Sequence, residues 1–276
     1  MNILVCVKQI LDPEIPARDF RIDPEKKEAV RGSADLVVNI FCENAIETAL
    51  QLRDRSGGKI TALSYGPAEA EDALRKALAM KGDEAVLVTK DGDALPDPVR
   101  VAQVLAAAIR KLSGPDLVFD LIMVGRESGD WGMGQTGGLL AEELGVPFVG
   151  LVDQVEVSDV TPGRAGLRVR RQTDKGYEIV EAVPPLVVSI TNSKSNLPRI
   201  PKTRDVMASY RKPLTRWGVE DLDIATQSAS TTASCELVDL VLPQKNSNCQ
   251  FITGDSLDQK VEAFARRVRE IVNRVG

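Results

Sequence analysis

The residues best suited to chemistry lie between Asp120 and Val149. A short apolar run, Leu121 to Val124, leads into about a dozen residues that hold six glycines: Gly125, Gly129, Gly132, Gly134, Gly137 and Gly138. An apolar-patterned helix with Leu139, Leu140 and Leu144 follows and closes at Gly145-Val146-Pro147. A strand, a glycine loop and a helix N-terminus make an anion seat, because unpaired backbone N–H groups and the helix dipole point the same way. Glycine also lets the backbone approach a phosphate with no Cβ in between. The loop is neither G-x-x-x-x-G-K-[ST] nor a clean G-x-G-x-x-G, so spacing alone leaves a ligand loop and a plain glycine-rich turn both open.

What the chain lacks narrows the chemistry further. Its 276 residues contain no histidine, which removes the commonest general base, the usual metal ligand and every Ser–His or Cys–His pair. Carboxylate and lysine chemistry remain, yet a binding or carrier protein fits this composition better than a hydrolase. Four scattered cysteines (Cys6, Cys42, Cys235, Cys249) form no C-x-x-C, which argues against zinc and iron–sulfur sites and for reduced thiols in the cytosol or a comparable compartment. A net charge of −5 argues against a nucleic-acid binder, which usually carries a basic face. No apolar run approaches the roughly 18 residues of a membrane span, and the opening Met1-Asn2-Ile3-Leu4-Val5-Cys6-Val7 reads as a first strand rather than a leader.

The elements that must position the loop alternate. Strands are expected at Ile3 to Val7, Lys59 to Ser64, Ala85 to Val88 and Leu121 to Val124, with Phe20 to Pro24 as a short edge strand ending in a turn. Helices are expected from Asn39 to about Arg55, after Gly66-Pro67, and up to Leu112 beyond a polar connection from Asp91 to Pro98. This rhythm implies βαβ units and a mainly parallel, doubly wound Rossmann-like sheet, in which ligands sit beyond the carboxyl ends of the strands. The loops after Val7, around Tyr65 and after Val124 converge there, joined by the start of the Asn39 helix, and favour a nucleotide-like ligand.

From Val152 the character changes. Val152 to Val157, Gly166 to Arg171, Tyr177 to Val183 and Leu186 to Ile190, punctuated by Pro162-Gly163, Lys175-Gly176 and Pro184-Pro185, suggest a small, largely antiparallel addition. Arg168, Arg170 and Arg171 are either phosphate ligands or the wet face of a strand. A nucleotide-binding domain over 1–191 would be followed by a C-terminal arm over 192–276. The arm has a short helix near Val206 to Tyr210, little periodicity up to Phe251, and a final helix capped by Asp255-Ser256. That helix places Leu257, Val261, Phe264, Val268 and Ile271 on one stripe, suited to a partner subunit or to its own domain.

Five separated segments in order resemble the beta subunit of electron transfer flavoprotein. They are Val5-Cys6-Val7-Lys8-Gln9 with Asp12-Pro13; Asn39-Ile40-Phe41-Cys42-Glu43-Asn44-Ala45-Ile46-Glu47, similar to N-P-F-C-E-x-A-x-E; Ser64-Tyr65-Gly66-Pro67 with Ala77-Leu78-Ala79-Met80; Gly125-Arg126 through Asp130 to Gln135-Thr136-Gly137; and Asn196-Leu197-Pro198-Arg199 with Met207 and Arg211-Lys212-Pro213. The resemblance implies a heterodimer with an alpha subunit, an FAD carried mainly by that partner, and AMP on this chain. The implied AMP pocket uses Cys6, Asn39, Ile40, Phe41, Cys42, Tyr65, Val124, Gly125, Arg126, Asp130, Gly134, Gln135, Thr136 and Gly137, with Gln135 to Gly137 and nearby N–H groups toward the phosphate. Glu127 and Asp130 would repel a phosphate and are expected on ribose or on backbone N–H groups.

Three departures accompany the resemblance. Ile40 replaces a proline, Arg126-Glu127-Ser128-Gly129-Asp130-Trp131-Gly132 replaces K/R-Q-A-I-D, and Thr203-Arg204 stands where the family presents a leucine and a proline to an acyl-CoA dehydrogenase. The implied activity is electron carriage from a flavin dehydrogenase to a downstream acceptor, in the cytoplasm. The alternatives are an electron-bifurcating member with a second FAD in the same pocket, reduced by NADH, and a stand-alone nucleotide-binding protein of similar fold.

Overall fold

The structure is a computed structural model that describes residues 1–89, 97–114, 118–161, 164–224, 237–242 and 249–275. The expected connection from Asp91, the turn at Pro162-Gly163, Cys235 and much of the stretch before Phe251 lie outside the described residues. Two compact units divide the chain, Met1–Asp239 and Leu240–Gly276.

In chain order the first unit runs β1 (Asn2–Cys6), β2 (Gln9–Leu11), β3 (Arg21–Asp23), β4 (Glu28–Val30), β5 (Leu36–Val38), α1 (Ile40–Ser56), β6 (Lys59–Gly66), α2 (Glu71–Ala79), β7 (Glu84–Thr89), α3 (Pro98–Ser113), β8 (Leu121–Gly125) and α4 (Thr136–Leu144). It continues with β9 (Phe148–Thr161), β10 (Arg164–Thr173), β11 (Gly176–Ala182), β12 (Leu186–Ile190), α5 (Thr203–Ser209) and β13 (Leu214–Gly218). Nine of these strands form one sheet in the order β11-β10-β9-β12-β8-β1-β6-β7-β13. All neighbours are parallel except β9–β10 and β10–β11, which make the antiparallel addition.

The central strands are mostly apolar because both faces are covered. Ile3 and Val5 pack with Ala45, Ile46, Leu50, Leu74 and Leu78 of α1 and α2 on one face. Leu4 and Cys6 pack with Leu105, Ile109, Leu140 and Ala141 of α3 and α4 on the other. After β1 the chain builds outward through β6 and β7, then returns to lay β8 on the opposite side of β1. The order therefore reverses between β1 and β8, and that junction is the topological switch point where ligand crevices form.

Three details differ from the sequence reading. β12, grouped there with the antiparallel addition, lies inside the parallel part between β8 and β9, fully buried. Strand β13, in a stretch read as irregular, pairs parallel with β7 from Leu214↔Ala85 to Gly218↔Thr89. Its five residues are half-exposed or exposed and carry no alternating signal, so the free edge of β7 makes it a strand. Residues 9–11 and 36–38 pair outside the main sheet as β2 and β5.

Beyond β12, the buried Asn196 donates to the Thr191 carbonyl at 2.9 Å and to Thr48 Oγ1 at 3.3 Å. Arg199 grips Glu47 through Nε and Nη2 at 2.8 and 3.1 Å. Residues 192–222 thereby belong to the first unit. The second unit holds α6 (Leu257–Val275), where Ser256 Oγ accepts from the Gln259 N–H at 3.3 Å, as the expected cap requires. Its stripe of Leu257, Val261, Phe264, Val268 and Ile271 is exposed.

Candidate functional site

The end of β8 draws two helix N-termini together. A Cβ on Gly125 would stand 3.1 Å from the Phe41 carbonyl carbon and Cβ, and 3.2 Å from Asn39 Nδ2, so α1 begins directly against it. A Cβ on Gly137, in the first turn of α4, would stand 2.9 Å from Val124 Cγ2 and from the Phe148 ring. A Cβ would crowd its neighbours at both positions, more severely at Gly137 than at Gly125. Neither α1 nor α4 has a side-chain hydrogen bond at its cap position, and in the first turn of α1 the Cys42 N–H turns back to the Asn39 carbonyl at 2.9 Å.

Asn39 explains why α1 is uncapped. It occupies the cap position, but its buried amide is turned onto the glycine loop: Nδ2 donates to the Glu127 carbonyl at 2.7 Å, and Oδ1 accepts from the Gly129 N–H at 3.2 Å. The loop then folds on itself, with Gly132 N–H donating to the Ser128 carbonyl at 2.8 Å. Gly132 and Gly134 have φ of +63° and +64°, left-handed values that side chains rarely adopt. Gln135 is exposed and Thr136 half-buried at the start of α4.

The charges at the loop are internally balanced. Arg126 stacks over the Phe41 ring at 4.5 Å, donates to Thr191 Oγ1 at 3.3 Å and pairs with Glu127. Asp130 accepts from the Trp131 N–H at 2.9 Å and from Lys8 Nζ at 2.8 Å. Asp130 thus bonds a backbone N–H, whereas Glu127 turns to a guanidinium. Val124 is buried, and Ile40 is exposed beside the α1 start. Tyr65 lies one strand beyond β1, at the end of β6, against the apolar cluster on the α3–α4 face.

Cys6 and Cys42 are buried at the junction. Burial pushes the Cys6 thiol far above its ordinary range, and the neighbouring Cys42 adds to the shift. Burial also raises Cys42, against the opposing Asn39 amide and the nearby Lys8 and Gly125 N–H groups. Both therefore stay neutral thiols near neutral pH, packing groups rather than nucleophiles. The arginines of β10 are elsewhere: Arg170 clasps the buried Asp153 at 2.8 and 2.9 Å, and Arg171 faces Glu178 at 3.4 Å. Among the described residues no group of His, Cys, Asp or Glu could hold a metal ion.

Comparison with known proteins completes the identification. The electron transfer flavoprotein domain profile matches residues 29–222. The chain belongs to the electron transfer flavoprotein family.

Within it, the similarity runs to beta subunits. The chain is 35% identical over 224 residues to electron transfer flavoprotein subunit beta of Clostridium acetobutylicum, 81% of each chain. It is 31% identical over 263 residues, 95% of each chain, to the subunit beta of Bacillus subtilis. Over 272 residues, 98% of each chain, it is 28% identical to the caffeyl-CoA reductase-Etf complex subunit CarD of Acetobacterium woodii. Electron transfer as a flavoprotein is accordingly the family activity. Sequence reasoning left Lys8 and Thr191 out of this candidate site. Lys8 carried a usable signal, a cation two residues past the end of β1. Thr191 carried none, because only tertiary pairing brings it to Arg126.

Proposed function

We propose that this chain is the beta subunit of a heterodimeric electron transfer flavoprotein and holds AMP at the switch point between β1 and β8. The observation that carries the reading is the convergence of the uncapped N-termini of α1 and α4 on Gly125 and Gly137. The site fits a nucleotide monophosphate. Its helix starts offer unpaired N–H groups to a phosphate, and the loop carboxylates Glu127 and Asp130 are already neutralised by Arg126 and Lys8. Gln135, Thr136 and Gly137 would face the phosphate, with Asn39 to Cys42, Cys6 and Tyr65 completing the walls.

FAD, shared with the alpha subunit, supplies the one- and two-electron chemistry. The contribution of this chain is placement: a closely packed strand end, a pinned glycine loop and neutral buried thiols that bring no competing nucleophile. The donor in this reading is a flavin dehydrogenase of acyl-CoA or related type, with Thr203 at the docking position as the first residue of α5. The compartment is the cytoplasm, in keeping with the free thiols of Cys6 and Cys42. No helix among the described residues is long and apolar enough to cross a membrane.

A second reading places FAD in the same pocket, reduced by NADH. Similarity along 98% of each chain to a subunit of a caffeyl-CoA reductase–Etf complex favours it, as does the glycine-rich Glu127–Gly134 departure. The test is to co-produce the chain with its alpha subunit, denature the purified complex and count the released nucleotides by chromatography. One FAD and one AMP per heterodimer support the carrier. Two FAD without AMP, with bleaching of flavin absorbance by NADH, replace it by the second reading.

A further inference from the structure

Two side chains fasten the glycine loop from outside, and they differ in kind. Asn39 is neutral and buried, and it holds the loop backbone at Glu127 and Gly129. Lys8 is charged and 38% exposed, and its Nζ lies 2.8 and 2.7 Å from the two Asp130 oxygens and 3.3 Å from Ser128 Oγ. Arg126, the other cation at the loop, pairs with the adjoining Glu127 and anchors the first loop residue on Thr191 and Phe41, leaving residues 128–132 to Asn39 and Lys8.

Lys8 works through both its halves. Its carbonyl accepts the Asn39 N–H at 2.9 Å, which sets the start of α1 beside β1. Its ammonium reaches 122 positions along the chain to Asp130. Asp130 in turn orders the next residue by accepting the Trp131 N–H, and the turn is closed from Gly132 to Ser128. Opening the Asn39 clasp would strand the buried Asn39 amide, whereas a partly exposed ion pair is weak and screened by salt. Of these two attachments, the Asn39 clasp is the durable one and the Lys8 pair the one that opens readily.

We propose that Lys8 is a positioning residue of the nucleotide loop: its ion pair with Asp130 holds residues 128–132 against β1 and sets the rate at which nucleotide leaves. This rests on the reading of the site as a nucleotide pocket. The predicted effect of removing the pair is a rate increase of about two- to fivefold, the range of a partly exposed ion pair.

The test compares wild type, Lys8→Met, Lys8→Arg and Asp130→Asn in the co-produced heterodimer. Hydrogen–deuterium exchange is followed over residues 126–135, and release of methylanthraniloyl-AMP and of FAD is followed by fluorescence. Lys8→Met is expected to speed both loop exchange and nucleotide release, and Lys8→Arg to restore both. High salt is expected to accelerate wild type toward Lys8→Met while leaving Lys8→Met unchanged. If Lys8→Met does not fold, Asp130→Asn breaks the same pair from the loop side. Loop exchange and release unchanged in the variant that folds would overturn the assignment, as would equal salt acceleration of wild type and variant. A wild-type heterodimer that retains neither probe overturns the nucleotide reading alone, and loop exchange still decides the role of Lys8.

Discussion

Asn39 donates to the carbonyl of Glu127 at 2.7 Å, across 88 positions of sequence. The residue placed to cap α1 is thereby committed to the glycine loop, and the α1 N-terminus stays open toward the same loop. One amide thus clasps the loop at two backbone groups and leaves the helix dipole available to an anion.

Replacing Asn39 by Ala should therefore damage two features at once. The half-buried Glu127 carbonyl and the exposed Gly129 N–H lose their partner, at a cost of about 0.5–1.5 kcal/mol. Urea denaturation should show that loss, and the purified heterodimer should carry less than its full complement of nucleotide. Full occupancy with unchanged stability would refute the clasp.

Adjacent glycines at the start of α4 offer a controlled comparison. Gly137→Ala puts a Cβ 2.9 Å from Val124 Cγ2 and the Phe148 ring, and overpacking of this kind costs about 1–3 kcal/mol. Gly138→Ala meets nothing nearer than Phe148 Cε1 at 4.0 Å and should be neutral or stabilising by up to about 1 kcal/mol, since alanine favours the helix. Thermal melts of the pair should differ in sign, with nucleotide retention falling only in Gly137→Ala.

The late strand β13 should respond to acid. Burial alone would raise the Glu71 carboxyl, but hydrogen bonds from Arg216 of β13 and Arg75 of α2 outweigh it and hold its pKa below the ordinary value of 4.5. A carboxylate whose folded pKa is depressed contributes stability above its unfolded pKa and loses it as pH falls through the folded one. The difference in stability between wild type and Glu71→Gln should therefore be present at neutral pH, at about 1 kcal/mol or less, begin to shrink as pH falls to 4.5 and vanish only below the depressed folded pKa. A difference that persists into strong acid would show that charge is not what Glu71 contributes.

Legibility tracked how local each signal is. The strand at Leu121 to Val124 and the helix after Gln135 were visible because burial on two faces or one leaves a periodicity in the residues themselves. Lys8 and Arg199 were visible only as members of motifs. Their roles, on Asp130 and on the buried Glu47, depend on partners more than a hundred positions away. Arg170 illustrates the converse: a candidate phosphate ligand by type, it is occupied by Asp153.

The sequence by itself determined the alternation of strands and helices, the glycine loop at the end of β8, the absence of histidine chemistry and the family resemblance. All of these are carried by residue type and short spacing. Tertiary structure decided that β13 completes the sheet edge, that Asn39 leaves α1 uncapped, and that each loop carboxylate has its own cation. These depend on which atoms the reversal of strand order between β1 and β8 brings within bonding distance, and hydrogen bonds and ion pairs act only over a few ångströms of space, whatever the separation along the chain.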